Sequence, residues 1–108
     1  MRYRRDKRLF LRKSHKQIEG RIIRQLTQVC EGAKADYSGF IWLTHTVNYQ
    51  RFPQSLKVTL VFNQSISESA MLAEFQALIP KVQSALEAVI GERLPAKQIE
   101  ACREHTLQ

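Results

Sequence analysis

Few side chains in this 108-residue sequence are equipped for chemistry: three histidines, two cysteines, and one dense stretch, residues 42–55, reading WLTHTVNYQRFPQS. That stretch holds the only tryptophan, Trp42, together with His45, Asn48, Tyr49, Arg51 and Phe52. Thr44 and Thr46 flank His45, but neighbours on a strand point to opposite faces. Asp and Glu are scarce around it, so acid–base work at His45 needs a carboxylate from another element. His15, His45 and His105 fall on three separate elements with no C-x-x-C or H-x-x-x-H spacing, so the sequence offers no metal site and no cofactor. The glycines at 20, 32, 39 and 91 are isolated, which leaves no phosphate-cradling loop, and there is no G-x-S-x-G nucleophile turn. Cys30 sits on an apolar helical stripe and reads as core; Cys30 and Cys102 together read as free thiols of a reducing compartment. No catalytic residue stands out, and the sequence reads as non-enzymatic.

Two readings of WLTHTVNYQRFPQS remain open. In the architectural one, Trp42 fills a sheet–helix core, Tyr49 and Phe52 wrap a hairpin end, and Asn48 bonds local backbone. In the other it is a surface: Tyr49 and Phe52 offer stacking faces, Arg51 and Lys57 supply charge, and His45 and Asn48 read polar edges.

The net charge of +7 is unevenly placed. Residues 1–16 hold Arg2, Arg4, Arg5, Lys7, Arg8, Arg12, Lys13 and Lys16 against Asp6 alone, and the rest of the chain balances nine basic residues with nine acidic ones. The high isoelectric point therefore describes an arm. Such an arm suits phosphate backbones, whose neutralisation releases counterions. A solvated leader that aids solubility is the plainer alternative.

The elements that must position these groups follow from periodicity. Ser14 and Gln17 form an S-x-x-Q capping pattern, and Ile18, Ile22, Leu26, Val29 and Cys30 make a helical stripe, predicting a helix over about 14–31 with Gly32 as its stop. FIWLTHTV, opening at Gly39, is aromatic and β-branched and predicts a strand. NYQRFPQ holds a turn, with Pro53 unable to donate to a ladder. SLKVTLVF alternates, with Leu56, Val58, Leu60 and Phe62 on one face, which completes an antiparallel hairpin. After the polar break NQSISES, Leu72, Phe75, Ile79, Val82, Leu86 and Val89 recur at three or four, predicting a second helix kinked at Pro80 and stopped by Gly91. KQIEACRE predicts a short third strand. The expectation is an α+β, two-layer fold in the order α-β-β-kinked α-β, a small sheet with an antiparallel hairpin packed on two helices. Residues 1–13 would be a basic N-terminal arm and 14–108 a single domain. No apolar run approaches the roughly 20 residues of a membrane span, and Leu9-Phe10-Leu11 is too short for a signal core, so cytoplasm is the expected location.

From Arg12 onward the chain resembles a family of small bacterial proteins that begin near R-K-x-x-K and carry W-L-T-H-x-V-N-Y-x-x-F-P-x-S-L, here Arg12, Lys13 and Lys16 and then Trp42 to Leu56. Such proteins are often labelled transcriptional regulators of the factor-for-inversion-stimulation (Fis) family. The label implies a C-terminal helix-turn-helix, whose place is interrupted here by Leu94-Pro95. The element order also weakly resembles ribosome-binding factor A, a KH-like domain in which a helix-bend-helix meets RNA. This chain lacks its G-x-x-G, and the likeness implies that Ser67 to Lys81 and the arm face RNA. The expectation taken forward is a non-enzymatic nucleic-acid-associated protein, with RNA or the ribosome favoured over DNA. Its contacts would come from Arg2 to Lys16 in the arm, with Arg21, Arg24, Arg51 and Lys57 as lesser candidates. The alternative is a protein-interaction module or homodimer, using an exposed hairpin or the Leu9-Phe10-Leu11 patch.

Overall fold

A computed structural model describes residues 13–104 of the chain. Helix α1 spans Lys13–Asp36, strand β1 Phe40–Thr46, strand β2 Lys57–Phe62, helix α2 Glu68–Ile90 and strand β3 Ile99–Arg103, with single 3-10 turns at Tyr49–Arg51 and Ala96–Gln98. The sheet order is β1-β2-β3; β2 is antiparallel to β1 and parallel to β3. This is the expected small α+β fold, with the hairpin and the late third strand in place. The parallel pairing follows from connectivity: α2 carries the chain from the end of β2 back to the start of β3, as a crossover must.

Alternation sorts the sheet's two faces. Leu43, Val58, Leu60, Phe62 and Ile99 are buried in the core, together with Ile22, Leu26, Cys30 and Ala33 of α1 and Leu78, Val82 and Leu86 of α2. Trp42 pairs with Val61 one register step from Leu43 and Leu60, so it stands on the opposite face and is only half-buried. The expectation that Trp42 fills the sheet–helix core gives way to that register. A register shift between Phe40 and Trp42 marks a bulge that the sequence pattern did not announce.

The first helix departs from its predicted outline, and the second keeps its expected ends. α1 starts at Lys13, so Ser14 lies inside its first turn, and it runs through Gly32 to Asp36. Continuing past Gly32 buries Ala33, and a glycine in a helix costs only about 1 kcal/mol, too little to end one whose next turn has core to cover. α2 is a single element from its cap at Ser67, whose hydroxyl accepts from the Ala70 amide, to Gly91, which adopts the left-handed φ of 81° that closes a helix. Pro80 lies inside it and faces outward. The buried stripe runs through Leu78, Val82 and Leu86, and Leu72, predicted on the apolar face, is 53% exposed. Helix side chains lock the elements: Arg21 Nη2 of α1 donates to the Ala88 carbonyl at the end of α2 (3.0 Å), and Gln83 Nε2 of α2 to the Leu94 carbonyl (2.8 Å). Gln98 Nε2 donates to the carbonyls of Pro53 (3.1 Å) and Leu56 (2.7 Å), holding the start of β3 to the hairpin loop.

Candidate functional site

The carboxylate that His45 requires comes from α1. The stripe Ile22, Leu26, Cys30, Ala33, traced one turn back, lands on Glu19, which is 1% exposed. β1 turns His45 toward the same face, where it is 2% exposed. Glu19 Oε1 lies 3.1 Å from His45 Nε2 and also accepts from the Tyr49 hydroxyl. His15, one turn earlier on α1, stacks on Tyr49 with ring centroids 5.0 Å apart and planes 20° apart, and Phe52 packs beyond it at 5.6 Å. Three segments thus meet at one carboxylate: the first turns of α1, the end of β1 and the 3-10 turn.

The loop that delivers Tyr49 is built by its own polar residues. The Asn48 side chain accepts from the Gln50 amide (3.0 Å) and caps the 3-10 turn. Ser55 Oγ accepts from the Asn48 amide (2.9 Å) and donates to the Asn48 carbonyl (2.7 Å), closing the loop across its base. The Phe52–Pro53 peptide is cis. Asn48, Tyr49, Phe52, Pro53 and Ser55 of the opening stretch are therefore accounted for by shape.

Electrostatics at the cluster follow from its dryness. Burial pushes the His45 imidazole down to about 4, so the ring is neutral at pH 7, and its Nε2 proton serves Glu19. Burial, reinforced by the Glu19 hydrogen bond and charge, raises the Tyr49 phenol far above the ordinary tyrosine range, so it stays a donor at every working pH. Glu19 Oε2 is buried without a hydrogen-bond partner. A charge half-satisfied in this way is costly unless its two donors hold firm. Cys30 and Cys102 are free thiols, and burial raises both, which favours their protonated form.

The surface residues predicted from sequence do not all stay on the surface. His45 is buried and cannot touch a ligand; it serves the tie between α1 and the hairpin. Tyr49 and Phe52 are half-buried against α1 and each other, and Asn48 is exposed but committed to the loop. Arg51 is exposed beside the α1 start, and Lys16 is exposed on the first turns of α1. Lys57 projects from β2 with its Nζ 3.9 Å from Glu100, so its charge is partly answered within the domain. Arg2, Arg4, Arg5, Lys7, Arg8 and Arg12 lie outside the described residues, and Lys13 opens α1. Among the described residues no His, Cys, Asp and Glu converge as metal ligands, and no helix is long and apolar enough to cross a membrane. Sequence reasoning missed Glu19 because it ran the stripe from Ile22 to the half-buried Ile18 and passed over the carboxylate between them. No family model, curated protein or solved structure matches the chain.

Proposed function

We propose that this chain is a non-enzymatic nucleic-acid-associated protein that holds phosphate backbones, RNA in preference to DNA, through its first sixteen residues. One observation carries the reading: residues 1–16 contain the whole net charge of +7. α1 continues that segment directly, and Lys16 and Arg51 share the end of the molecule where Tyr49 docks on α1. Two of the lesser candidates are engaged with their own fold, Arg21 at the α2 terminus and Lys57 toward Glu100. The Glu19–His45–Tyr49 tie supports a structural role for the motif, since neither Glu19 nor His45 leaves room for a substrate atom beside it. The KH-like parallel extends to element order only: α2 runs unbroken where a helix-bend-helix would stand, so RNA contact rests on the arm.

Fluorescence anisotropy with mixed-sequence single-stranded RNA and duplex DNA tests this. We expect binding at low salt that weakens with a log–log slope of about −3 to −5, since each phosphate contact on a single strand contributes about −0.7. Replacing Arg4, Arg5, Lys7 and Arg8 by Gln should weaken binding by at least about tenfold. No binding at low salt, or binding indifferent to those substitutions, would reject the reading.

A further inference from the structure

Glycine inside a helix is unfavourable, because it loses the most backbone freedom on folding and brings no side chain to pack. α1 accepts two, Gly20 and Gly32. The fold demands neither: a Cβ at either position meets nothing within 4 Å. Gly32 stands one turn before the helix end, with exposed Glu31 beside it and exposed Asp36 one turn on. Gly20 has a different neighbourhood. Residues three and four apart share a helix surface, so Lys16 and Gln17 flank Gly20 on the preceding turn, and Ile23 and Arg24 on the following one. Lys16, Gln17 and Arg24 are exposed.

Counted along the sequence, Glu19 dilutes these cations. In the fold its carboxylate is turned to the core, 1% exposed, where it answers His45 and Tyr49. With Glu19 withdrawn, α1 shows no exposed carboxylate between His15 and Glu31. Arg21 is also exposed and keeps its charge while it donates to the Ala88 carbonyl. The outward face of the first half of α1 is therefore cationic, with bare backbone at its middle. Such a surface suits a polyanion that must come close. The missing side chain admits the polymer against the helix itself, and Lys16 and Arg24, two turns or about 12 Å apart, reach its charges from either side. We propose that the outer face of α1 around Gly20 seats the RNA phosphodiester backbone, which crosses the helix between Lys16 and Arg24. This deepens the nucleic-acid reading and rests on it: the leader supplies the attraction, and α1 supplies a defined place for the strand. An acidic protein segment would meet the same charges, but a polymer charged at every unit can follow the whole run of cations from Arg2 to Arg24.

The test uses the full chain and the mixed-sequence single-stranded RNA, with anisotropy at low salt and urea unfolding of every variant. Gly20→Ile places a stiff side chain on the seat, and Gly32→Ile makes the same change away from it. Isoleucine is the better helix former, so neither variant should unfold at lower urea than the parent. We expect Gly20→Ile to weaken RNA binding by about five- to tenfold, and Gly32→Ile to leave it within about twofold. Lys16→Gln combined with Arg24→Gln should make the log–log salt slope shallower by about 1.4, the share of two single-strand phosphate contacts, whereas Lys34→Gln should leave it unchanged. If the parent binds RNA but Gly20→Ile and Gly32→Ile bind alike, or the double variant keeps the parent's slope, the seat is overturned while the leader reading stands. A parent that does not bind RNA at low salt overturns both. A fluorescein-labelled polyglutamate that binds as tightly as RNA, and is weakened as much by Gly20→Ile, would overturn the proposal in favour of an acidic protein segment.

Discussion

At the scale of single residues, the molecule's most consequential choice is a carboxylate on the core face of its first helix. Glu19 is kept there by the Tyr49 hydroxyl and His45 Nε2. Tyr49→Phe removes one donor and leaves a buried acceptor short, so stability should fall by about 1–3 kcal/mol, measured by urea unfolding followed through Trp42 fluorescence. His45 gives a pH dependence with a definite sign. Its folded value is depressed to about 4 while the unfolded ring titrates near 6.5, so the unfolded chain gains protons first as pH drops. The stability that neutral His45 contributes is complete above pH 6.5 and is lost as pH falls from there toward 4. Between pH 7 and pH 5 the loss should be about 2 kcal/mol, and His45→Gln, which keeps a donor for Glu19 without the titration, should flatten that part of the curve. An unchanged pH profile in the variant would assign the acid sensitivity elsewhere.

At the scale of elements, glycine positions separate what is required from what is tolerated. A Cβ at Gly32 meets nothing within 4 Å, so Gly32→Ala, one turn before the end of α1, should raise stability by about 0.5–1 kcal/mol. A Cβ at Gly39 would run into the Ile66 side chain where the strand enters beneath the α2 cap loop, so Gly39→Ala should cost about 1–3 kcal/mol, partly restored by Ile66→Ala in the same chain. Thermal unfolding of the three variants checks both. The hairpin, the α2 boundaries and the late strand were legible because strict alternation, a Ser67 cap and Gly91 are local signals. The extension of α1 past Gly32 was not, because Ala33 is buried by partners distant in sequence. Nor was the exposure of Leu72: a stripe repeating at three and four fits two neighbouring helix faces, and only packing chooses between them. The site was half legible. Its histidine and tyrosine lie in one conspicuous stretch, but Glu19 is joined to them across twenty-six and thirty residues by tertiary structure alone.

At the scale of the whole molecule, a nearly neutral body carries a strongly cationic leading segment. The described residues 13–104 hold eleven basic against nine acidic side chains, while residues 1–12 hold six against one. Retention on a heparin column should therefore follow the leader. Glutamine at Arg2, Arg4, Arg5 and Arg8 should move elution to markedly lower salt, whereas glutamine at Lys34, Lys81, Arg93 and Lys97 should move it little. Equal shifts from the two sets would mean that the body shares the attraction. The parallel placement of β3 has a consequence for how such a chain is made. Val58, Leu60 and Phe62 sit on the middle strand, and the only described segment that closes their far side is Ile99–Arg103. During synthesis the sheet must wait for β3, and a polypeptide that stops before Ile99 keeps its central strand open to its neighbours. Premature termination here should yield an insoluble product, not a shorter working one.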